Sequence, residues 1–261
     1  MAQTRIAVRL STFGLPLRAA LTAAASLGAK AIQLDTGPNL KLTDLSETGL
    51  RQLRKLISDF DMRISSIRMS TRRGYDCVDG LSRRVDATKT MMATAYRLGA
   101  PLVINRLGDI PESHDDPRYQ SLIEVVSDLG KYGTRVGTFF TAETGGESGK
   151  TLAELLARDE NAFVAAALHP GRLVVNRFDC GEAIRALGDR IQIVIASDGV
   201  IDLAAGRGIP VPLGEGTADY PAILAELSNR RFGGYLVVGD EQPHPQAGIR
   251  IAQAMEYLQN L

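Results

Sequence analysis

Acidic, basic and amide residues collect in this chain directly after short apolar runs, and that placing is what points to chemistry. Glu143 and Thr144 follow one such run, Ser197 and Asp198 another, and Asp240 and Glu241 end the run YLVVGDE. Gln33 and Asp35, the arginines Arg68, Arg72 and Arg73, the pair Asn105 and Arg106, and Asn176 with Asp179 stand in the same relation to other runs. If the runs are strands of one sheet, carboxylates from distant parts of the chain converge at one end. Oxygen donors so gathered can hold a divalent cation, or move protons at a carbon beside a carbonyl. Guanidinium groups facing the same space would hold a phosphate or carboxylate. The plainer alternatives are that Glu143 only pairs with Arg106 or Arg177, that Asp179 caps the following helix, and that Arg68, Arg72 and Arg73 are a solvated charge run.

Other chemistries find less support. His114, His169 and His244 sit in loops, and no two share metal-ligand spacing on a helix. His169 is read as preceding the sixth strand, at the end away from any site. Cys180 beside Asp179 is badly placed to form a thiolate. The segment PLGEG at 212–216 precedes a helix, but it lacks the Lys of a phosphate loop and the strand–GxGxxG context of a dinucleotide site. A structural turn, capped by Thr217 or Asp219, is the expectation there.

The elements that must position these residues can be read from periodicity. Apolar or β-branched runs recur eight times, at residues 5–10, 31–35, 63–68, 102–107, 137–144, 173–178, 191–198 and 235–240. Several are almost continuously apolar, as strands covered on both faces are. Helical patterns lie between them, at 17–27, 50–60, 85–98, 121–132, 152–168, 181–187, 222–227 and 247–261. In residues 50–60 one stripe carries Leu50, Leu53, Leu56, Ile57 and Phe60, with Arg51, Arg54, Lys55 and Asp59 opposite. Strict strand–helix alternation over 261 residues predicts an α/β fold, a single (β/α)8 TIM barrel over residues 1–261, with its site at the carboxyl ends of the strands. The irregular stretch 199–217 is long enough to predict a functional or mobile loop.

Composition bounds the partners. Formal net charge is zero, so no field draws in nucleic acid or an anionic membrane. Cys77 and Cys180 are far apart, which suits a reducing compartment. The opening MAQTRIAVRL runs into a strand pattern without the apolar core of a signal peptide, and no stretch is apolar enough to span a bilayer. A soluble cytoplasmic protein is expected.

The motifs LGAPLVINRLG (98–108), FFTAETGG (139–146), NRFDCG (176–181) and VPLGEG…LAEL…FGGYLVV (211–238), in this order, resemble the xylose-isomerase-like TIM barrels, which include sugar phosphate isomerases and epimerases. The resemblance covers essentially the whole chain and implies one divalent metal (Mn, Zn, Co or Mg) or, failing that, no cofactor. Its ligands would be a Glu on strand five, an Asp on six, a His on seven and a Glu on eight. Glu143 and Asp179 match the first two. Ile195 and Gly239 stand at the last two, and Glu182 replaces a further frequent His. The implied function is therefore a sugar (phosphate) isomerase/epimerase-like barrel with a degraded or altered metal site. Glu143 would be base or metal ligand, and Glu241, sharing strand parity with residue 239, its substitute second acid. Arg68, Asn105, Arg106 and Asp198 would bind a small carbohydrate-like ligand. The alternative is a non-catalytic binding or interaction module on the same barrel. Neither nucleic acid nor membrane is an expected partner, and a homo-oligomer is left open. The superfamily's apurinic-site nucleases need a multi-zinc site that three scattered histidines do not supply.

Overall fold

Alternation of side chains sorts this chain into two apolar layers. In the strand Ile191–Ala196, Ile193 and Ile195 join Ala7, Ile104, Ala167 and Val237 in one buried cluster, while Val194 and Ala196 belong to a second, larger one with residues of the helices. The first cluster is the inside of a barrel and the second lies between barrel and helices. Burying a Leu or Ile side chain stabilises by roughly 1.5–3 kcal/mol, so the two layers together dictate closure.

The computed structural model describes residues 5–37, 40–69, 71–202 and 207–261. Residues 1–4, where the opening pattern begins, and 203–206, inside the expected long loop, lie outside them. The barrel strands are β1 (Ile6–Arg9), β2 (Ala31–Thr36), β3 (Arg63–Met69), β4 (Leu102–Asn105), β5 (Phe139–Glu143), β6 (Ala165–Leu168) and β7 (Ile191–Ala196), and β10 (Tyr235–Val238) closes the ring. All neighbours are parallel, in the order β1-β10-β7-β6-β5-β4-β3-β2. Between β7 and β10 the strands β8 (Asp198–Asp202) and β9 (Arg207–Val211) pair antiparallel as a separate hairpin. Much of the stretch expected to be irregular is thus ordered structure.

Helices follow the strands: α1 (Leu17–Ser26), α2 (Glu47–Asp59), α3 (Leu81–Leu98), α4 (Pro117–Val136), α5 (Gly149–Leu156), α6 (Pro170–Val175), α7 (Cys180–Leu187), α8 (Tyr220–Asn229) and α9 (Ala247–Gln259). Their starts are chemically marked. Ser46 accepts the Gly49 N–H at 3.2 Å, and Asp116 accepts the Arg118 N–H at 2.8 Å before Pro117. Among the described residues no helix is long and apolar enough to cross a membrane.

The sixth strand differs from its expected place. Residues 173–178 were expected to form it, but Leu173–Val175 end the short helix α6, and the strand is Ala165–Leu168, inside the stretch read as helix. Alanine favours helices when nothing else decides. Here Ala165 and Ala167 fill the narrow barrel interior, and Thr141↔Ala165 and Glu143↔Ala167 pair β6 to β5. Packing overrides propensity. The shift turns His169 from a residue before the strand into the residue that leaves its carboxyl end, beside Glu143.

Candidate functional site

Glu143 is the centre of the carboxyl end. It is the last residue of β5, its side chain is 0 % exposed, and it is surrounded by donors. His169 Nδ1 lies 2.8 Å from its Oε1, Arg172 Nη1 donates to Oε1 at 3.0 Å, and Arg68 Nη2 stands 3.2 Å from Oε1 and 2.9 Å from Oε2. The Oε2 contact is an ion pair whose alignment is not that of a hydrogen bond. Arg68 projects from β3 and Arg172 from α6, so the shifted position of β6 is what brings two of these partners in. Glu241, three residues past β10, meets Arg68 Nη1 at 3.2 Å and Arg106 Nη2 at 3.5 Å, and remains 43 % exposed.

The electrostatics follow from burial and these charges. Burial works against ionising Glu143, but His169 and then Arg68 and Arg172 outweigh it and hold the carboxyl well below the usual carboxylate range. Burial dominates at His169 and lowers its pKa despite the Glu143 bond, so the imidazole is neutral at neutral pH. A proton on Nδ1 is nevertheless required, because an ionised carboxylate only accepts. The positive charge that keeps Glu143 ionised is therefore that of the arginines. Glu147, four residues on in the TGGES loop, is the opposite case. Burial pushes its carboxyl up to about 8, with Asp109 and Glu143 adding to the rise and Arg172 opposing it.

Glu143 and Glu147 line a cavity of about 500 Å³ that also has Arg9, Arg68, Arg106, Arg172 and Glu241 among its walls. A second cavity of about 960 Å³ lies under α9 and the β8–β9 hairpin and is lined by His169, Ile195, Val211 and Ile251. Arg172, Glu241 and Gln242 border both. In the lining of the smaller cavity Arg9 Nη2 meets Asp35 Oδ1 at 2.5 Å, and among the described residues buried Arg9 Nη1 has no acceptor.

Sequence-selected residues divide here. Glu143, Glu241, Arg68 and Arg106 come together. Asn105 is buried, and its amide donates to Thr71 Oγ1 at 3.2 Å and Tyr75 OH at 3.1 Å while its oxygen accepts the Arg106 N–H at 2.9 Å. It holds the loop behind the site. Asp179, expected to ligate metal after strand six, is instead the exposed N-cap of α7, accepting the Glu182 N–H and 3.7 Å from Arg185. Glu182 in turn accepts the Lys150 N–H at 3.0 Å. Asp198, expected to meet ligand, has both oxygens taken by backbone: Gly199 at 2.8 Å and Ala218 at 3.0 Å on Oδ1, Gly214 at 3.2 Å and Gly216 at 3.0 Å on Oδ2. It folds PLGEG into its turn. Asp198→Ala, leaving these donors unmatched, should lower stability by roughly 2–3 kcal/mol, read from urea unfolding, and should speed amide exchange at Gly216 and Ala218. Unchanged exchange there would show that the carboxylate does not hold the loop. His169, Arg172 and Glu147 were not legible as site residues. The one signal was Leu168-His169-Pro170 ending an unbroken apolar run from Ala162.

Glu143, His169 and Glu241 form a carboxylate/His group whose ligand atoms lie within 4.8 Å of one another, as a metal site needs. The arrangement around them does not fit a divalent ion, however. Arg68 contacts both carboxylates, Arg172 and Arg106 approach Glu143 at 3.0 and 3.8 Å, and Ile195 and Gly239 offer no side-chain donor. An added cation would meet three guanidinium groups.

A closed eight-stranded parallel barrel with acids and arginines gathered at its carboxyl end defines the class. A family model described as a xylose isomerase-like TIM barrel matches residues 21–261, and the chain belongs to that family. No curated protein matches the sequence. Solved structures share the fold. A xylose isomerase domain protein from Planctomyces limnophilus is 20% identical with a TM-score of 0.85, over 99% of this chain and 96% of that one. A xylose isomerase-like TIM barrel protein from Mycobacterium smegmatis, in complex with magnesium, is 18% identical with a TM-score of 0.75 over 100% and 98%. D-psicose 3-epimerase with D-tagatose, from Clostridium cellulolyticum H10, is 13% identical with a TM-score of 0.75 over 98% and 99%.

Proposed function

We propose that this chain binds a small polyhydroxylated, carbohydrate-like ligand at the carboxyl end of its barrel and isomerises or epimerises it by proton transfer, the metal site of the resembled enzymes being altered. The observation that carries the reading is the gathering of Glu143, Glu241 and Glu147 with Arg106 and Arg172 around one cavity of about 500 Å³, a size suited to a small ligand. Arg106, Arg172 and Arg9 Nη1, which has no partner among the described residues, are donors for ligand oxygens. Glu143, held ionised by its partners, anchors the arginines and His169. Glu241, half-exposed and ion-paired with Arg68 and Arg106, is the carboxylate that takes a proton, and Glu147, which carries one below about pH 8, can return it. Sugar epimerases among the structural neighbours support a carbohydrate ligand. Cys77 and Cys180 are free thiols, which fits the reducing cytoplasm proposed for it.

Incubation with D-tagatose, D-psicose and D-fructose in D2O tests the reading, with deuterium entry at carbon followed by NMR. Exchange is expected, Glu241→Gln and Glu147→Gln should each reduce it by about 10²–10⁴-fold, and Glu143→Gln should reduce it by releasing Arg68, Arg172 and His169. Saturable sugar binding without exchange would favour the non-catalytic binding module, and no binding to any polyhydroxylated compound would dismiss both.

A further inference from the structure

We propose that the Arg68 guanidinium is the resident cation of this site, standing where an ion held by Glu143, His169 and Glu241 would stand, so that the protein carries its positive charge on a side chain and needs no divalent metal. The inference rests on the ligand-site reading only for what Arg68 would face.

One nitrogen decides the geometry. Arg68 Nη2 is 2.9 Å from Glu143 Oε2, 3.2 Å from Glu143 Oε1 and 3.3 Å from Glu241 Oε1, and Nη1 adds 3.2 Å to that last oxygen. A single cationic group thus spans the two carboxylates whose oxygens, with the His169 ring, make up the metal-like trio. The pairing is buried: the Arg68 side chain is 6 % exposed and that of Glu143 0 %. At such depth a charge persists only when paired and hydrogen-bonded, and Arg68 meets that condition through Glu143 and Glu241. Asp35, opposite Arg68 in the β2–β3 register, adds to the field that favours its charge.

The balance of charge excludes an additional ion. Arg68, Arg106 and Arg172 face Glu143 and Glu241, so the cluster already has one more positive than negative group with His169 neutral. A metal would have to expel Arg68 from a buried position and would then find no side-chain donor at Ile195 or Gly239. A guanidinium also differs from a metal in what it offers: fixed, planar N–H donors that suit two oxygens of a ligand at once, with no exchangeable coordination position. An oxygen gaining negative charge in this cavity would meet those donors.

Mn2+ titration followed by electron paramagnetic resonance tests this on the wild type, Arg68→Met and the double variant Arg68→Met/Glu143→Gln. Wild type should show no saturable binding at millimolar Mn2+. Arg68→Met, which keeps the bulk of the stem and frees both carboxylates, should bind about 100-fold more tightly, and Glu143→Gln should abolish that gain. Arg68→Met that folds yet binds no better than wild type overturns the proposal. If Arg68→Met does not fold, thermal melting of the wild type decides: no shift with Mn2+ or chelator is expected, and a rise with Mn2+ overturns the proposal. Loss of sugar binding with this metal pattern intact would count against the proposed function alone.

Discussion

Gly239→Glu, the change that puts an acid back at the end of the eighth strand, is expected to destabilise the protein by roughly 3–5 kcal/mol rather than to complete a metal site. The backbone at Gly239 has φ +130, a conformation open to glycine and strained for any residue with a Cβ. A Cβ there would also lie 2.5 Å from Thr12 Oγ1 and 3.0 Å from Arg9 Cβ. Thr12 cannot simply rotate away, because its hydroxyl donates to the Asp240 carbonyl at 3.0 Å, and Arg9 is fixed by Asp35. Strain of about 1–3 kcal/mol from the backbone and a similar overpacking cost give the figure. Urea unfolding of Gly239→Ala and Gly239→Glu measures it. A Gly239→Glu protein with the wild-type midpoint and a bound metal would refute the argument. The glycine is thus a built part of this strand end, which lets the chain turn so that Glu241 reaches inward.

Glu143→Ala should cost about 3–5 kcal/mol at neutral pH, because it leaves buried Arg68, the buried His169 N–H and part-buried Arg172 facing an empty place. The loss depends on pH with a definite sign. The folded-state pKa of Glu143 is depressed, so its contribution is complete above the unfolded value near pH 4.5 and is lost as pH falls toward the folded pKa. The wild type should therefore lose its advantage over Glu143→Ala by about 1.4 kcal/mol per pH unit below roughly pH 4.5. Urea midpoints of both proteins between neutral pH and pH 3 measure this, and a gap independent of pH would mean that packing, not charge, is what Glu143 supplies. Glu143→Gln, which keeps the volume, separates the two contributions.

How much of this could be read in the sequence turns on one strand. The apolar runs of β4, β7 and β10 stand out because β-branched and apolar residues there are almost unbroken, and barrel closure followed from alternation and length. Glu143 was legible as a strand-end acid at the position of the resembled family's strand-five Glu, and Glu241 because it shares strand parity with residue 239. Residues 162–168 were not, since an alanine run between two helices has the local signature of a helix, and only pairing with β5 and β7 makes it a strand. That single displacement hid His169 and Arg172 and put Asp179 at a ligand position it does not hold. Asp198 was legible as a strand-end acid, but what satisfies it comes from residues 214–218, a closure that no local pattern displays.

The wall common to the two cavities has a thermodynamic consequence. Arg172, Glu241 and Gln242 cannot serve an occupant on each side independently. Whatever draws the Glu241 carboxylate or the Arg172 guanidinium toward the larger cavity alters the field inside the smaller one, and linkage makes the reverse effect equal in free energy. Were both cavities filled, binding on one side of the barrel mouth would change affinity on the other through this shared wall.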